Sequence, residues 1–189
     1  MKLAARRCFI TYSSSLDSEV EVNSEEYIAW IAHLTALLER CGVDVYWDKQ
    51  DVHLGMDLAK YVETSIRQSD FVLLICTPTF AQRVNNREGV VGFENQIIAG
   101  EILEGSFSPK QVVPILRKGS RRESIPSYVK GKVYIDFRDD KVFDEKFKDL
   151  LEHIFASPKH LQASRGRKPM NDSFSVEEKN NAARSSEPI

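Results

Sequence analysis

The sequence lacks the usual marks of a metal site, a disulfide framework and a membrane span. It has three cysteines, Cys8, Cys41 and Cys76, in widely separated positions. An odd number without ligand-like spacing argues against a disulfide-stapled domain and against a cysteine-held metal. Buried thiols in a reducing compartment are the simplest account of them. The four histidines, His33, His53, His153 and His160, show no ligand spacing either, so nothing supports metal catalysis. There is no Walker-type phosphate loop, no GxGxxG and no GxSxG elbow, which leaves nucleotide binding of those types and Ser-His-Asp chemistry without a footing. No apolar run approaches the roughly 20 residues of a spanning helix. The opening MKLAARRCFITYSSS carries basic residues and then CFITY. That apolar stretch is too short for a signal peptide and reads as a first strand. A formal charge of -2 offers no electrostatic case for nucleic acid or an anionic membrane. The expected setting is cytoplasmic.

What is present is enough for one domain. The chain has 189 residues, of which 42% are hydrophobic, so a core and a tail both fit. Residues 7–12 read as a buried strand, followed by a polar loop. From about Ser24, Tyr27, Ile28, Ile31, Leu34, Leu37, Leu38 and Cys41 recur at helical spacing. Asn23 or Ser24 can cap the start, and Gly42 stands where a helix-ending glycine belongs. VDVYWD (43–48) reads as a second strand, and KQDVHLGM as a loop pivoting on Gly55. DLAKYVETSIRQ (57–68) places Leu58, Val62 and Ile66 on one helical face. DFVLLICTP is a continuous apolar run, as in a central parallel strand covered on both faces. TFAQRVNNREGVVG reads as a polar loop, followed by a helix that begins near Glu94 and runs to about Glu104. QVVPILRKG is a fourth strand, SRRESIPSYVKG a loop and KVYIDF a fifth strand. FDEKFKDLLEHIF closes the order as an amphipathic helix with Phe143, Phe147, Leu150, Leu151 and Ile154 inward.

This alternation predicts an α/β fold of the flavodoxin-like, three-layer kind. A central parallel five-stranded sheet carries helices on both faces. The expected domain spans residues 1–156, and 157–189 is expected to be a disordered tail or linker, being polar and poor in branched apolar residues. Functional loops in such sheets lie beyond the carboxyl ends of the strands. There the sequence offers Ser13 to Ser15, Trp47 to Gly55, Thr77 to Phe80 and the start of the Glu94 helix.

A carboxylate at a helix start is favoured in its ionised form by the helix dipole. Glu94 is then either a first-turn acid worth roughly 0.3–1 kcal/mol to its helix, or a site acid. As a site acid it could hold ribose hydroxyls and stabilise positive charge as an N-glycosidic bond breaks. Glu101 lies two turns further on, about 10 Å away by helix rise, and reads as structural. Trp47 and Asp48 end a strand at the rim, where an aromatic can stack on a base or a nicotinamide; they could equally be a core tryptophan and a turn aspartate. Tyr12 with Ser13, Ser14 and Ser15 can bind phosphate or ribose, or form an ordinary serine-rich loop.

Several stretches together resemble a Toll/interleukin-1 receptor (TIR) domain of the bacterial SEFIR-like branch. They are CFITYS, VDVYWDKQDVHLGMDLAKYVETSIRQSDFVLLICTPTF, NNREGVVGFENQIIAGEI, VVPILRKGS and YIDF. The resemblance covers about residues 6–155, and its most specific part runs from Val43 to Ile102. It implies the TIR fold and two kinds of activity. Many bacterial and plant members cleave NAD+ to nicotinamide and ADP-ribose or a cyclic isomer, some of them in defence against phage. The catalytic glutamate of such members falls on Glu94, the site-closing and assembly loop on about Asp48 to Met56, and the loop after the first strand on Ser13 to Ser15. Phe93 and Trp47 would shape the pocket, with Ser13, Ser14 and Asp48 as polar contacts. NAD+ would be the substrate, with no cofactor or metal, and the chains would self-associate through TIR–TIR contacts. Two features depart from other branches. Val90 stands four residues before Glu94, where many enzymatic members have tryptophan. DKQDVHLG replaces the RDxxPG pattern of animal adaptors, while GVVGFE is close to the glycine-rich GVGYE of the SEFIR-like branch. The alternatives are a non-enzymatic interaction domain and a nucleoside deoxyribosyltransferase-like enzyme acting on free deoxynucleosides.

Overall fold

The computed structural model describes residues 6–13, 24–47, 57–106 and 111–155, all of which fall in one unit, Met1–Phe155. The expected tail lies outside the described residues. Five strands form one parallel sheet: β1 (Arg6–Thr11), β2 (Val43–Tyr46), β3 (Phe71–Cys76), β4 (Val112–Leu116) and β5 (Ile135–Asp136). Their spatial order is β2-β1-β3-β4-β5, with each neighbouring pair parallel. This is the flavodoxin-like order. β3 is central, and every residue of it after Phe71 is buried. That double-sided burial is why its sequence reads as an unbroken apolar run.

Alternation along the strands divides the core in two. Cys8, Ile10, Leu73, Ile75, Val113 and Ile115 point to one face. There they meet α1 (Ser24–Arg40) through Trp30, Ile31, Leu34 and Leu38, and α6 (Phe143–Phe155) through Leu150 and Ile154. Phe9, Val72, Leu74, Cys76 and Val112 point to the other face. They meet α2 (Leu58–Gln68), α3 (Pro78–Asn86) and α4 (Gly89–Leu103) through Val62, Ile66, Phe80, Val84, Val91 and Ile98. Burial pushes the pKa of the Cys76 thiol up to about 12, so it stays protonated. Cys8 is buried as well, but Cys41 is exposed. It follows the last residue of α1, beyond Leu38, the last residue of that helix buried in the core. The expectation of three buried thiols therefore fails at Cys41.

Two stretches expected to be loops are helical. The first is α3, whose start is set by chemistry rather than periodicity. Thr77 is the N-cap, its Oγ1 accepting the Phe80 N–H at 3.1 Å, and Pro78 follows at the first helical position. Phe80, Ala81 and Val84 give the short helix a buried face. Thr77 is fully buried, so water cannot replace the lost acceptor. Thr77→Ala is therefore expected to cost about 1–2 kcal/mol of stability, read as a lower urea midpoint with an unchanged m-value. The second is α5 (Arg121–Ser124), started by a capping box. The Glu123 N–H donates to Ser120 Oγ, and the Ser120 N–H donates to Glu123 Oε2. At the edge of the sheet, β5 is shorter than the expected KVYIDF strand. Only Ile135 and Asp136 pair with β4, and Val133 is 92% exposed.

Candidate active site at the carboxyl rim of the sheet

The chain leaves β1 outward to β2 and returns on the other side as β3. The carboxyl ends of β1 and β3 therefore flank the switch point where such sheets bind ligands. Thr11 is the last residue of β1, and its side chain points, like that of Phe9, to the face covered by α4. α4 begins at Gly89, so Glu94 sits in its second turn and not at its start. The dipole contribution expected of a first-turn acid falls off within that turn. A specific contact holds the carboxylate instead. Thr11 Oγ1 donates a hydrogen bond to Glu94 Oε2 at 2.6 Å. Thr11 is buried, while Glu94 is half-buried and in reach of solvent.

Behind this pair lies Asn95, 2% exposed. Its Nδ2 donates to the Val91 carbonyl at 2.9 Å and to Thr11 Oγ1 at 3.4 Å. The hydroxyl of Tyr128, from the 3-10 turn Ser127–Val129, donates to Asn95 Oδ1 at 2.6 Å. Four polar side chains from three distant segments thus converge on the glutamate end of the sheet. Thr11, Asn95 and Tyr128 are not among the residues expected from the sequence. A signal existed for two of them. Thr11 is a polar residue at an inward position of β1, and Asn95 a polar residue in an apolar helical run, and buried polar groups need partners. Nothing in the sequence points to Tyr128.

The expected binding residues separate. Ser13 is fully buried, and its hydroxyl has no hydrogen-bond partner among the described residues. Phe93, next to Glu94, is 40% exposed, and Val90, one turn before Glu94, is 37% exposed. Trp47 packs with the first core, on the other side of the sheet from α4, which carries Glu94. Along β2 and just beyond it, Val45 and Trp47 pack on the α1 and α6 side and Tyr46 on the other. The Trp47 ring lies 6.1 Å from that of Tyr12, against the first core. The ring is partly buried there. Ser14, Asp48 and the expected closing loop to Met56 lie outside the described residues.

Glu101 has a structural environment. It is 5% exposed and paired with Arg67 of α2, Nη2 to Oε1 at 3.0 Å. Of the histidines, His33 and His153 belong to helices, and the His153 ring lies 5.7 Å from that of Phe71. Among the described residues no group of three or more His, Cys, Asp or Glu is placed to hold a metal ion. No helix among them is long and apolar enough to cross a membrane.

The model of the family described as TIR domain matches residues 9–151. Among solved structures, a prokaryotic SEFIR domain is similar at 27% identity and TM-score 0.61, over 80% of this chain and 99% of that one. The TIR domain of a Toll-related receptor from Hydra magnipapillata is similar at 19% identity and TM-score 0.54, over 78% and 96%. The TIR domains of an activated resistosome that directly recognises the pathogen effector XopQ are similar at 12% identity and TM-score 0.58, over 80% and 100%. The last two speak to the fold alone. None of the curated proteins matches the chain.

Proposed function

We propose that this chain, which belongs to the TIR domain family, cleaves the N-glycosidic bond between nicotinamide and ribose in NAD+. The observation that carries this reading is a half-buried carboxylate, Glu94, held by Thr11 at the carboxyl rim of the sheet. The chemistry asks for little more. The pyridinium nitrogen of NAD+ is already cationic, so the nicotinamide leaves as a neutral molecule and needs no general acid. The bonding electron pair goes to that nitrogen, and positive charge passes to C1′ and the ring oxygen of the ribose. A fixed carboxylate stabilises that charge as it develops and accepts hydrogen bonds from the ribose hydroxyls. Water, or a nucleophilic atom of the same molecule, then attacks C1′. Water gives ADP-ribose with loss of one proton; internal attack gives a cyclic isomer. Defence signalling against phage is the setting in which this activity would serve.

Assembly belongs to the same reading. α4 carries Val90 and Phe93, both exposed, on the two turns that lead to Glu94. A second copy packed there would cover apolar surface and help enclose the substrate. Specific activity is therefore expected to rise with protein concentration. Nicotinamide release from NAD+, followed by chromatography across a hundredfold dilution series, tests both parts. Release with equal specific activity at every dilution would remove the assembly requirement. Release of the nucleobase from free deoxynucleosides, with none of nicotinamide from NAD+, would move the assignment to deoxyribosyl transfer.

The same exposed residues, with the similarity to a prokaryotic SEFIR domain, favour a second reading: an interaction domain without turnover. It predicts concentration-dependent association and no nicotinamide at any concentration.

A further inference from the structure

We infer that Tyr128, Asn95 and Thr11 form a one-way hydrogen-bond relay that positions Glu94 by directing the Thr11 O–H as a donor toward its carboxylate; this rests on the proposed role of Glu94. The direction follows from one backbone atom. The Val91 carbonyl can only accept, so the Asn95 group 2.9 Å from it is the NH2. The amide oxygen then faces Tyr128, whose hydroxyl must donate to it at 2.6 Å. A phenol of ordinary pKa, about 10, is protonated at neutral pH and so able to donate. The second Asn95 N–H is directed at Thr11 Oγ1, 3.4 Å away. With a donor on that side, the single Thr11 proton is left for Glu94 Oε2, at 2.6 Å. Each link thus removes the alternative orientation of the next, and the low exposure of Thr11 and Asn95 strengthens each contact.

Three consequences follow. The Thr11 O–H donates to the carboxylate, a contact that favours its ionised form. The carboxylate is fixed in orientation before substrate arrives. The 3-10 turn that carries Tyr128 is also tied to the site through side chains alone. Thr11, Asn95 and Tyr128 are positioning residues, since none needs to touch the substrate.

The test uses Thr11→Val, which keeps the shape and removes the hydroxyl, beside Thr11→Ser, which keeps the hydroxyl. Thr11→Val is expected to lower kcat for NAD+ cleavage by about tenfold and leave KM within about twofold. It should also move the acid limb of the kcat–pH profile to higher pH, and Thr11→Ser should restore all three. Equal loss in both variants, or a wild-type profile in Thr11→Val, overturns the relay. A second readout does not depend on turnover: the Glu94 carboxyl carbon, assigned by its absence in Glu94→Gln, is titrated by NMR. Its midpoint is expected to be higher in Thr11→Val than in the wild-type protein, and an unchanged midpoint overturns the relay. Wild-type protein that releases no nicotinamide overturns the NAD+ reading alone, and the titration still decides the relay.

Discussion

Glu94→Gln is expected to reduce nicotinamide release by at least about a hundredfold, the scale of removing one preorganised electrostatic partner from a transition state. The folded protein is expected to survive the change. The amide has the shape of the carboxylate, and its oxygen can still accept from Thr11 Oγ1, now 2.6 Å from Oε2. Glu94 is half-buried and does not belong to either apolar cluster. What the variant loses is the negative charge. In ground-state NAD+ the positive charge sits on the pyridinium ring; in the transition state it has moved to the ribose. Only an interaction stronger in the second arrangement accelerates the reaction. The loss should therefore fall on kcat more than on KM, with the unfolding midpoint within about a degree or two of wild type. Full activity in this variant would remove Glu94 from the chemistry and leave its contact with Thr11 a structural one.

Much of the fold was legible in the sequence, for physical reasons. A strand buried on both faces must be apolar throughout, and FVLLIC of β3 is. A helix on one face of a sheet must repeat near 3.6 residues, and α1, α2 and α6 do. The parts that were not legible depend on local chemistry that weighs little in a periodicity. α3 spans only Pro78–Asn86, and its clearest marks are the Thr77 cap and the proline after it. The corner after it turns on Arg87, which adopts φ 60 in the left-handed region, a conformation an arginine sequence does not advertise. The capping box of α5 was readable as Ser120 and Glu123 three apart, but lay inside a stretch dominated by turn-forming residues.

At the site, the difficulty was distance along the chain. The contact that holds Glu94 joins residues 83 apart in sequence, and the link from Asn95 to Tyr128 spans another 33. Glu94 is legible as a carboxylate near a helix start, and the family resemblance singles it out as the catalytic candidate, but α4 begins five residues before it, about a turn and a half. Gly89 and Gly92 read as loop residues and hid the helix start. Trp47 follows β2 at the rim, and the sequence could not say which face of the sheet it would take. One register step in β2 decides that, as Tyr46 and Trp47 pack on opposite faces.

Gly92→Ala is expected to destabilise the protein by about 2–3 kcal/mol, while Gly100→Ala in the same helix stabilises it by about 0.5–1 kcal/mol. The opposite signs come from what each new methyl group would meet. At Gly92 a Cβ would lie 2.4 Å from the carbonyl carbon of Arg87 and 2.8 Å from its Cα, well inside the roughly 3.5–4.0 Å of a carbon–carbon contact. Both obstructing atoms are backbone, so no side-chain rotation relieves the overlap. Either the left-handed corner at Arg87 opens or the first turn of α4 gives way, and Glu94 begins the next turn. At Gly100 nothing among the described residues lies within 4 Å of the added Cβ. Alanine there removes the entropic cost of a helical glycine without a clash. Thermal unfolding should separate the pair, with Gly92→Ala roughly 5–10 °C below wild type and Gly100→Ala slightly above it. Nicotinamide release should follow the same division, lost at Gly92 and kept at Gly100, because only the first moves the turn that carries the carboxylate. Equal effects from the two alanines would mean that the corner between α3 and α4 yields freely and does not fix the position of Glu94.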